Sequence, residues 1–115
     1  MRQLNPKEIE ALLASGCYAE DWEKILVAED FDVRYIRNVE FYGNVKIGSN
    51  LGAMEVAPGF TKHCGIREAT LRDVEIGDEC LIENVRGYIN NYYIADHCLI
   101  SNVHCIETTS KASYG

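Results

Sequence analysis

The chain has 115 residues, of which 47% are hydrophobic and 25% charged, and its formal net charge is -7. This composition is typical of a folded domain and excludes a disordered or fibrous chain, while the acidic balance argues against nucleic-acid binding, which normally needs a basic surface. No apolar run approaches the roughly 20 residues of a membrane helix and no signal peptide is evident, so a cytoplasmic protein without membrane contact is expected.

The first 32 residues predict a helical N-terminal cap. In LNPKEIEALLASG, Asn5 is suited to the helix N-cap, Pro6 to the first helical position, and Glu8 to the completion of a capping box. Gly16 supplies a left-handed end to this helix. A second short helix is predicted around EDWEK.

The sequence pattern changes at residue 33. From there, short β-branched segments separated by Gly, Asn and Asp indicate a repeat. Ile or Tyr recurs at six-residue spacing at Ile76, Ile82, Tyr88, Ile94, Ile100 and Ile106. In addition, IGDECLIENV and IADHCLISNV share seven of ten residues. A chain with this repeat should form successive coils, each stacked on the one before it through short parallel strands. Equivalent residues would then stack: Ile76 on Ile94, Ile82 on Ile100, Cys80 on Cys98 and Asn84 on Asn102.

The segments IGDEC and IADHC resemble the hexapeptide-repeat superfamily of left-handed parallel β-helix proteins. That resemblance implies an all-β solenoid, a left-handed parallel β-helix over residues 33–115, with a short α-helical N-terminal cap over residues 1–32. The order of the helical start, VAEDFD, RNV, a stretch with PGF and then IENV also looks like the N-terminal segment of a long bacterial hexapeptide-repeat family with no assigned function. Partners would be identical subunits, a trimer among them, or the remainder of a longer chain.

Two departures from the repeat leave alternatives open. The stretch LGAMEVAPGFTKHCGIRE, at about residues 51–68, breaks the period and predicts an irregular excursion. Arg86 and His104 occupy a position where the pattern asks for a small residue. Either the strand slips there by one residue, which brings Val85 and Val103 inward, or the two long side chains face a groove.

The five cysteines lack the spacing of a disulfide framework and are expected to be reduced thiols. Cys98 takes the same small inward position as Cys80, which predicts core packing. His97 should then point outward, opposite Glu79, and His104 and Cys105 should alternate in the same way. Residues that alternate between faces do not converge on one ion, so no metal site is expected.

The resemblance also implies an enzymatic alternative. Hexapeptide-repeat acyltransferases use a His as general base, with acyl-CoA as the donor along the coils, and His is suited to this because its pKa lies near neutrality. His63 is the first candidate base, with His97 and His104 behind it, against the simpler interpretation of His63 as a polar loop residue. Cys64 could be a nucleophile, but no motif places a partner for it.

The segment RGYINNYY is the last candidate site. Arg86, Tyr88, Asn90 and Tyr92 could bind a sugar or a carboxylate, because aromatic rings stack on sugars and amides bind hydroxyls. The same residues could form a corner in which Asn adopts turn conformations. We therefore expect a structural and interaction module without a cofactor, with a hexapeptide-type acyltransferase or a sugar-nucleotide-directed transferase as the alternative.

Overall fold

The computed structural model describes residues 1–104 with their side chains and the backbone of residues 106–114. The prediction for Cys105 lies outside the described residues. No helix in the described part of the chain has the length and apolarity that crossing a membrane requires.

The N-terminal segment combines one α-helix with short strands. Its elements are β1 (Arg2–Gln3), α1 (Pro6–Ala14), β2 (Tyr18–Ala19), a 3-10 helix (Trp22–Lys24), β3 (Ile25–Val27) and a second 3-10 helix (Val33–Tyr35). Helix α1 begins as predicted: the Asn5 side chain accepts from the Glu8 amide at 2.8 Å, and the Glu8 carboxylate accepts from the Asn5 amide at 3.0 Å. The second predicted helix is only a single 3-10 turn, N-capped by Asp21.

The remaining residues form strands. They are β4 (Ile36–Ile47), β5 (Ala53–Ala57), β6 (Phe60–His63), β7 (Gly65–Ile76), β8 (Leu81–Glu83), β9 (Ile89–Ile94), β10 (Leu99–Ser101) and β11 (Ile106–Tyr114). Among the described residues, nine strands form one sheet along the path β1-β3-β4-β7-β8-β10, with β2 beside β4, β9 beside β7 and β11 beside β9. Strands β5 and β6 form a separate antiparallel hairpin within the stretch expected to be irregular.

Two of the predicted stacking pairs are present in the sheet. Ile76 is in register with Ile94, and Ile82 with Ile100. The spacing of eighteen residues does not extend to the earlier strands, because the β5–β6 hairpin lies between β4 and β7, where Ile36 pairs with Ile66. Inward residues of successive strands build the core in rows, such as Phe41, Leu71 and Ile89, whose exposed fractions are 2%, 0% and 0%.

The expectation of an all-β solenoid, a left-handed parallel β-helix, is wrong. The large sheet is mixed, since β1 pairs antiparallel with β3 while the other neighbours run parallel. Helix α1 contributes Leu12, 1% exposed, to the same core. The molecule measures 39 × 33 × 23 Å, which is a globule and not an elongated column. A short repeat specifies which residues pair, but it does not specify how the remaining elements close around them.

Near residue 86 the structure combines both alternatives, because Val85 and Val103 turn inward while Arg86 lines a groove. Val85 is buried and Val103 packs against the core, whereas Arg86 and His104 are exposed. Ile89 is fully buried and Tyr88 is exposed, so the inward position shifts by one residue there as well. Apolar side chains occupy these inward positions because burying an arginine or a histidine without a partner costs more free energy than a local irregularity of the backbone.

Candidate functional site

His63 lies at the end of β6, half-buried, and its ring is held from two sides. It stacks on Tyr35 with a centroid separation of 3.4 Å and an interplanar angle of 7°. Its Nδ1 lies 2.8 Å from the carbonyl oxygen of Cys64. Because a carbonyl oxygen only accepts, Nδ1 donates in this contact, and Nε2 is the unprotonated nitrogen of the neutral ring.

A charge network lies beside His63. The Glu83 carboxylate contacts Lys62 Nζ at 2.9 Å and Arg67 Nη1 at 3.3 Å, and Arg67 Nη2 donates to the His63 carbonyl at 3.1 Å. These links join the β5–β6 hairpin to β7 and β8. The network therefore fixes the hairpin on the sheet as well as orienting the histidine.

The thiols near this cluster are protonated core residues. Cys64 is 1% exposed, and burial, followed by the neighbouring Glu79 carboxylate, raises the pKa of its thiol. Burial likewise raises the pKa of Cys80 to about 11. Since the thiolate is the nucleophilic form, neither cysteine is activated, and the prediction that Cys80 and Cys98 pack in the core agrees with their exposed fractions of 4% and 8%.

The other two histidines are exposed. His97 takes a left-handed backbone conformation with a φ of 59°, and its amide donates to the Asp78 carbonyl at 2.8 Å. His104 accepts from the Gly87 amide through its main chain. Within the described residues, no group of three or more His, Cys, Asp or Glu side chains could hold a metal ion.

The four residues expected to bind a substrate are not brought to one site. Arg86 lines one groove, Tyr88 and Asn90 line another, and Tyr92 packs against the core. The slip at Val85 sets Arg86 apart, and the left-handed Asn91, with a φ of 59°, lies between Asn90 and Tyr92, so that Tyr92 turns toward the core.

The first groove is polar and open. Its volume is about 820 Å³, and four of its residues, Asn38, Glu68, Asn84 and Asn102, have left-handed backbone conformations with φ between 53° and 57°. Asn84 and Asn102, which were predicted to stack, both line this groove. Asn38 donates to the Glu68 carboxylate at 2.8 Å, which links β4 to β7.

The second groove, called here the tyrosine groove, has a volume of about 700 Å³ and lies between the N-terminal segment and the outer face of the sheet. Its lining includes Lys24, Tyr42, Thr70, Arg72, Tyr88 and Asn90. The sequence analysis missed Tyr42, Thr70 and Arg72. Alternation along each strand marks them as outward residues, but only the register between β4 and β7 shows that they are neighbours.

Comparison with known proteins gives a family without a described activity. The family model described as "Domain of unknown function (DUF4954)" matches residues 1–115. An "Uncharacterized protein" of Treponema pallidum (strain Nichols) is 34% identical over 114 residues, which are 99% of this chain and 16% of the relative. The chain therefore spans about a sixth of the length of the curated relative it matches. No solved structure is significantly similar to it.

These matches correct the resemblance to the hexapeptide-repeat superfamily. The family model that covers the whole chain is a different one, and the relative carries no hexapeptide-repeat description. A pattern as short as IGDEC is a weak guide to family membership.

Proposed function

Because this chain belongs to the family described as "Domain of unknown function (DUF4954)", we propose from its sheet geometry that it is a structural and interaction domain. Its partner is a β-strand from another part of a longer protein. The observation that carries this proposal is the outer edge of β10.

Strand β10 is the last strand on its path through the sheet. On one side the Cys98 carbonyl accepts from the Leu81 amide at 3.0 Å, and the Asn102 amide donates to the Glu83 carbonyl at 3.2 Å. Hydrogen-bonding groups alternate along a strand, so the backbone groups of Leu99 and Ser101 point away from β8. No strand of the described residues pairs with them there.

The opposite end of the sheet is the two-residue strand β1. It runs antiparallel to β3, with Arg2 opposite Val27 and Gln3 opposite Leu26. Side chains engage part of its backbone, since Arg2 Nη1 donates to the Gln3 carbonyl at 3.2 Å. A strand edge whose backbone groups no strand pairs, and which carries an exposed apolar side chain, is a template for strand addition. On β10 that side chain is Leu99, which is 38% exposed.

The net charge distinguishes two possible partners, a second copy of this chain and another part of a longer protein. A formal net charge of -7 on 115 residues makes two copies of the chain repel each other. The relative, of which this chain matches 16%, has a much longer polypeptide that could supply a strand. We therefore favour the remainder of a longer protein over self-association.

The transferase alternative stays a prediction that no observation favours. His63 lines neither groove, and its ring is engaged with Tyr35 and the Cys64 carbonyl.

Amide hydrogen exchange tests the proposal. The Leu99 and Ser101 amides should exchange rapidly in this chain alone and at least about tenfold more slowly in a longer family protein that contains it, because pairing protects the outward N–H groups. The double variant Leu99→Lys, Ser101→Pro should abolish the protection of the amide at position 99, the one that remains measurable, since a charge and a missing N–H both block an edge.

The control is Leu51→Lys, which places the same charge on an exposed leucine away from β10; Leu51 is 51% exposed. This variant should leave the protection of Leu99 and Ser101 unchanged. Equal exchange rates for these amides in the chain alone and in the longer protein would refute the proposal.

A further inference from the structure

Three neighbouring strands, β4, β7 and β9, supply residues to the tyrosine groove. At its margin, Glu40 of β4 pairs with Tyr18 of β2 on one side and with Thr70 of β7 on the other. One step further along, Tyr42 pairs with Arg72, and Arg72 pairs with Asn90 of β9. Neighbouring strands are about 4.8 Å apart, and alternate residues share a face. These side chains therefore form two parallel rows on the outer face of the sheet.

Aromatic rings stand on both sides of a polar centre. Tyr18 and Tyr42 pack together with their ring centroids 6.0 Å apart at an angle of 55°. Tyr42 Oη donates to the Glu40 carboxylate at 2.6 Å, which holds its ring in place. Tyr88, 37% exposed, stands on the far side of Thr70. The groove thus offers flat apolar rings with hydroxyl, amide and guanidinium groups between them.

The charges in the groove are balanced. Lys24 and Arg72 bring positive charge, whereas Glu20 and Asp73 bring an equal negative charge. Arg72 also lies 3.9 Å from the Asp73 carboxylate. A phosphate or a polyanion would need an excess of positive charge, so balanced donors and acceptors suit an uncharged ligand with many hydroxyl groups.

We infer that the tyrosine groove binds an uncharged oligosaccharide. The apolar C–H faces of sugar rings pack on the tyrosines. The sugar hydroxyls, each both a donor and an acceptor, pair with Thr70, Arg72 and Asn90. The volume of about 700 Å³ lies within the range of ligand sites, about 300–1,000 Å³, and the groove opens to solvent, so a chain can extend beyond it. This site is separate from the β10 edge, so either proposal can fail without the other.

NMR spectroscopy of the ¹⁵N-labelled chain tests the inference, with cellohexaose, chitohexaose and maltohexaose as separate probes at millimolar concentration. At least one probe should shift the amide resonances of Tyr42, Arg72 and Asn90 in a saturable way. Tyr88→Ala should weaken that binding about tenfold, because one stacking face is lost. Tyr93→Ala is the matched control, since Tyr93 is equally exposed at 37% but lies outside the groove. The affinity of this variant for the sugar should stay within about twofold of that of the parent protein.

Thr70→Val provides a second variant if Tyr88→Ala does not fold, because it removes only a hydroxyl group at nearly constant shape. It should also weaken binding. The inference is overturned if none of the three sugars shifts these resonances, or if inorganic phosphate shifts Lys24 and Arg72 while no sugar does. Equal loss of affinity in Tyr93→Ala and Tyr88→Ala would overturn it as well.

Discussion

At the residue scale, left-handed backbone conformations occur both between strands and within them, as at Asn38 in β4 and Glu68 in β7. Among the described residues, eight non-glycine residues have φ between 52° and 59°: Asn38, Glu68, Asp73, Glu79, Asn84, Asn91, His97 and Asn102. Asn and Asp tolerate this conformation, but a glutamate there is strained by about 1–2 kcal/mol. At Glu79 the strain is offset by local bonds, because its carboxylate accepts from the Gly52 amide at 2.6 Å and the Ser49 hydroxyl at 3.3 Å.

Gly43 is a left-handed position within β4 that tolerates a side chain poorly. Its φ is 64°, and an added Cβ would collide with the Asp73 carboxylate, which accepts from the Asn44 amide at 3.0 Å. Gly43→Ala should lower the free energy of unfolding by about 2–3 kcal/mol, from backbone strain plus the displaced carboxylate. Gly59 has a φ of 75° with open space around it, so Gly59→Ala should cost only about 1 kcal/mol. Urea unfolding measures both, and equal losses would show that the Asp73 contact is unimportant.

At the element scale, helix α1 depends on its first turn. Arg2 binds the Glu8 carboxylate through two hydrogen bonds of 2.7 and 2.8 Å, while Glu8 also completes the capping box. The Arg2 hydrogen bonds, and then the bond from the Asn5 amide, lower the pKa of Glu8 from its usual value of 4.5. The helix start and β1 are thereby stabilised together.

The lowered pKa of Glu8 makes this contribution dependent on pH. The stabilisation is fully present above the unfolded pKa of about 4.3 and is lost as the pH falls through the lower folded value, because protonation breaks the ion pair. Glu8→Gln should cost about 1 kcal/mol at pH 7 and almost nothing at about pH 2, since glutamine keeps the capping geometry without the charge. Glu10→Gln, on the exposed side of the same helix, is the control. The midpoints of urea unfolding, measured for each variant across pH 2–7, test this prediction. A loss of stability in Glu8→Gln that does not change with pH would argue against the ion pair.

At the scale of the whole molecule, the rows of core side chains that run across the parallel strands stabilise the fold. Leu71 is fully buried between Phe41 and Ile89 in register. Leu71→Ala should cost about 3 kcal/mol, a large share of the roughly 5–15 kcal/mol that stabilises a domain. Leu13→Ala, at a leucine 53% exposed, should change stability by less than about 0.5 kcal/mol. Calorimetric unfolding of both variants checks this, and similar melting temperatures would contradict the assignment of Leu71 to the core.

The candidate site was only partly predictable. Tyr88 and Asn90 were named from the sequence, and the structure places them in the tyrosine groove. Arg86 and Tyr92, named with them, lie elsewhere because the slip at Val85 and the left-handed Asn91 redirect the segment. Tyr42 and Arg72 are thirty positions apart, and a contact at that distance in sequence depends on the length of the inserted hairpin, which no local pattern encodes.

The sequence by itself determined the helix start at Asn5, the pairing of Ile76 with Ile94 and of Ile82 with Ile100, and the burial of Cys80 and Cys98. These features depend on capping and on side-chain alternation, which act over a few residues or over a direct repeat. Tertiary structure alone decided the mixed sheet, the slip that buries Val85, and the assembly of the grooves. They result from competition among distant segments for one core, where the burial of apolar side chains outweighs local regularity.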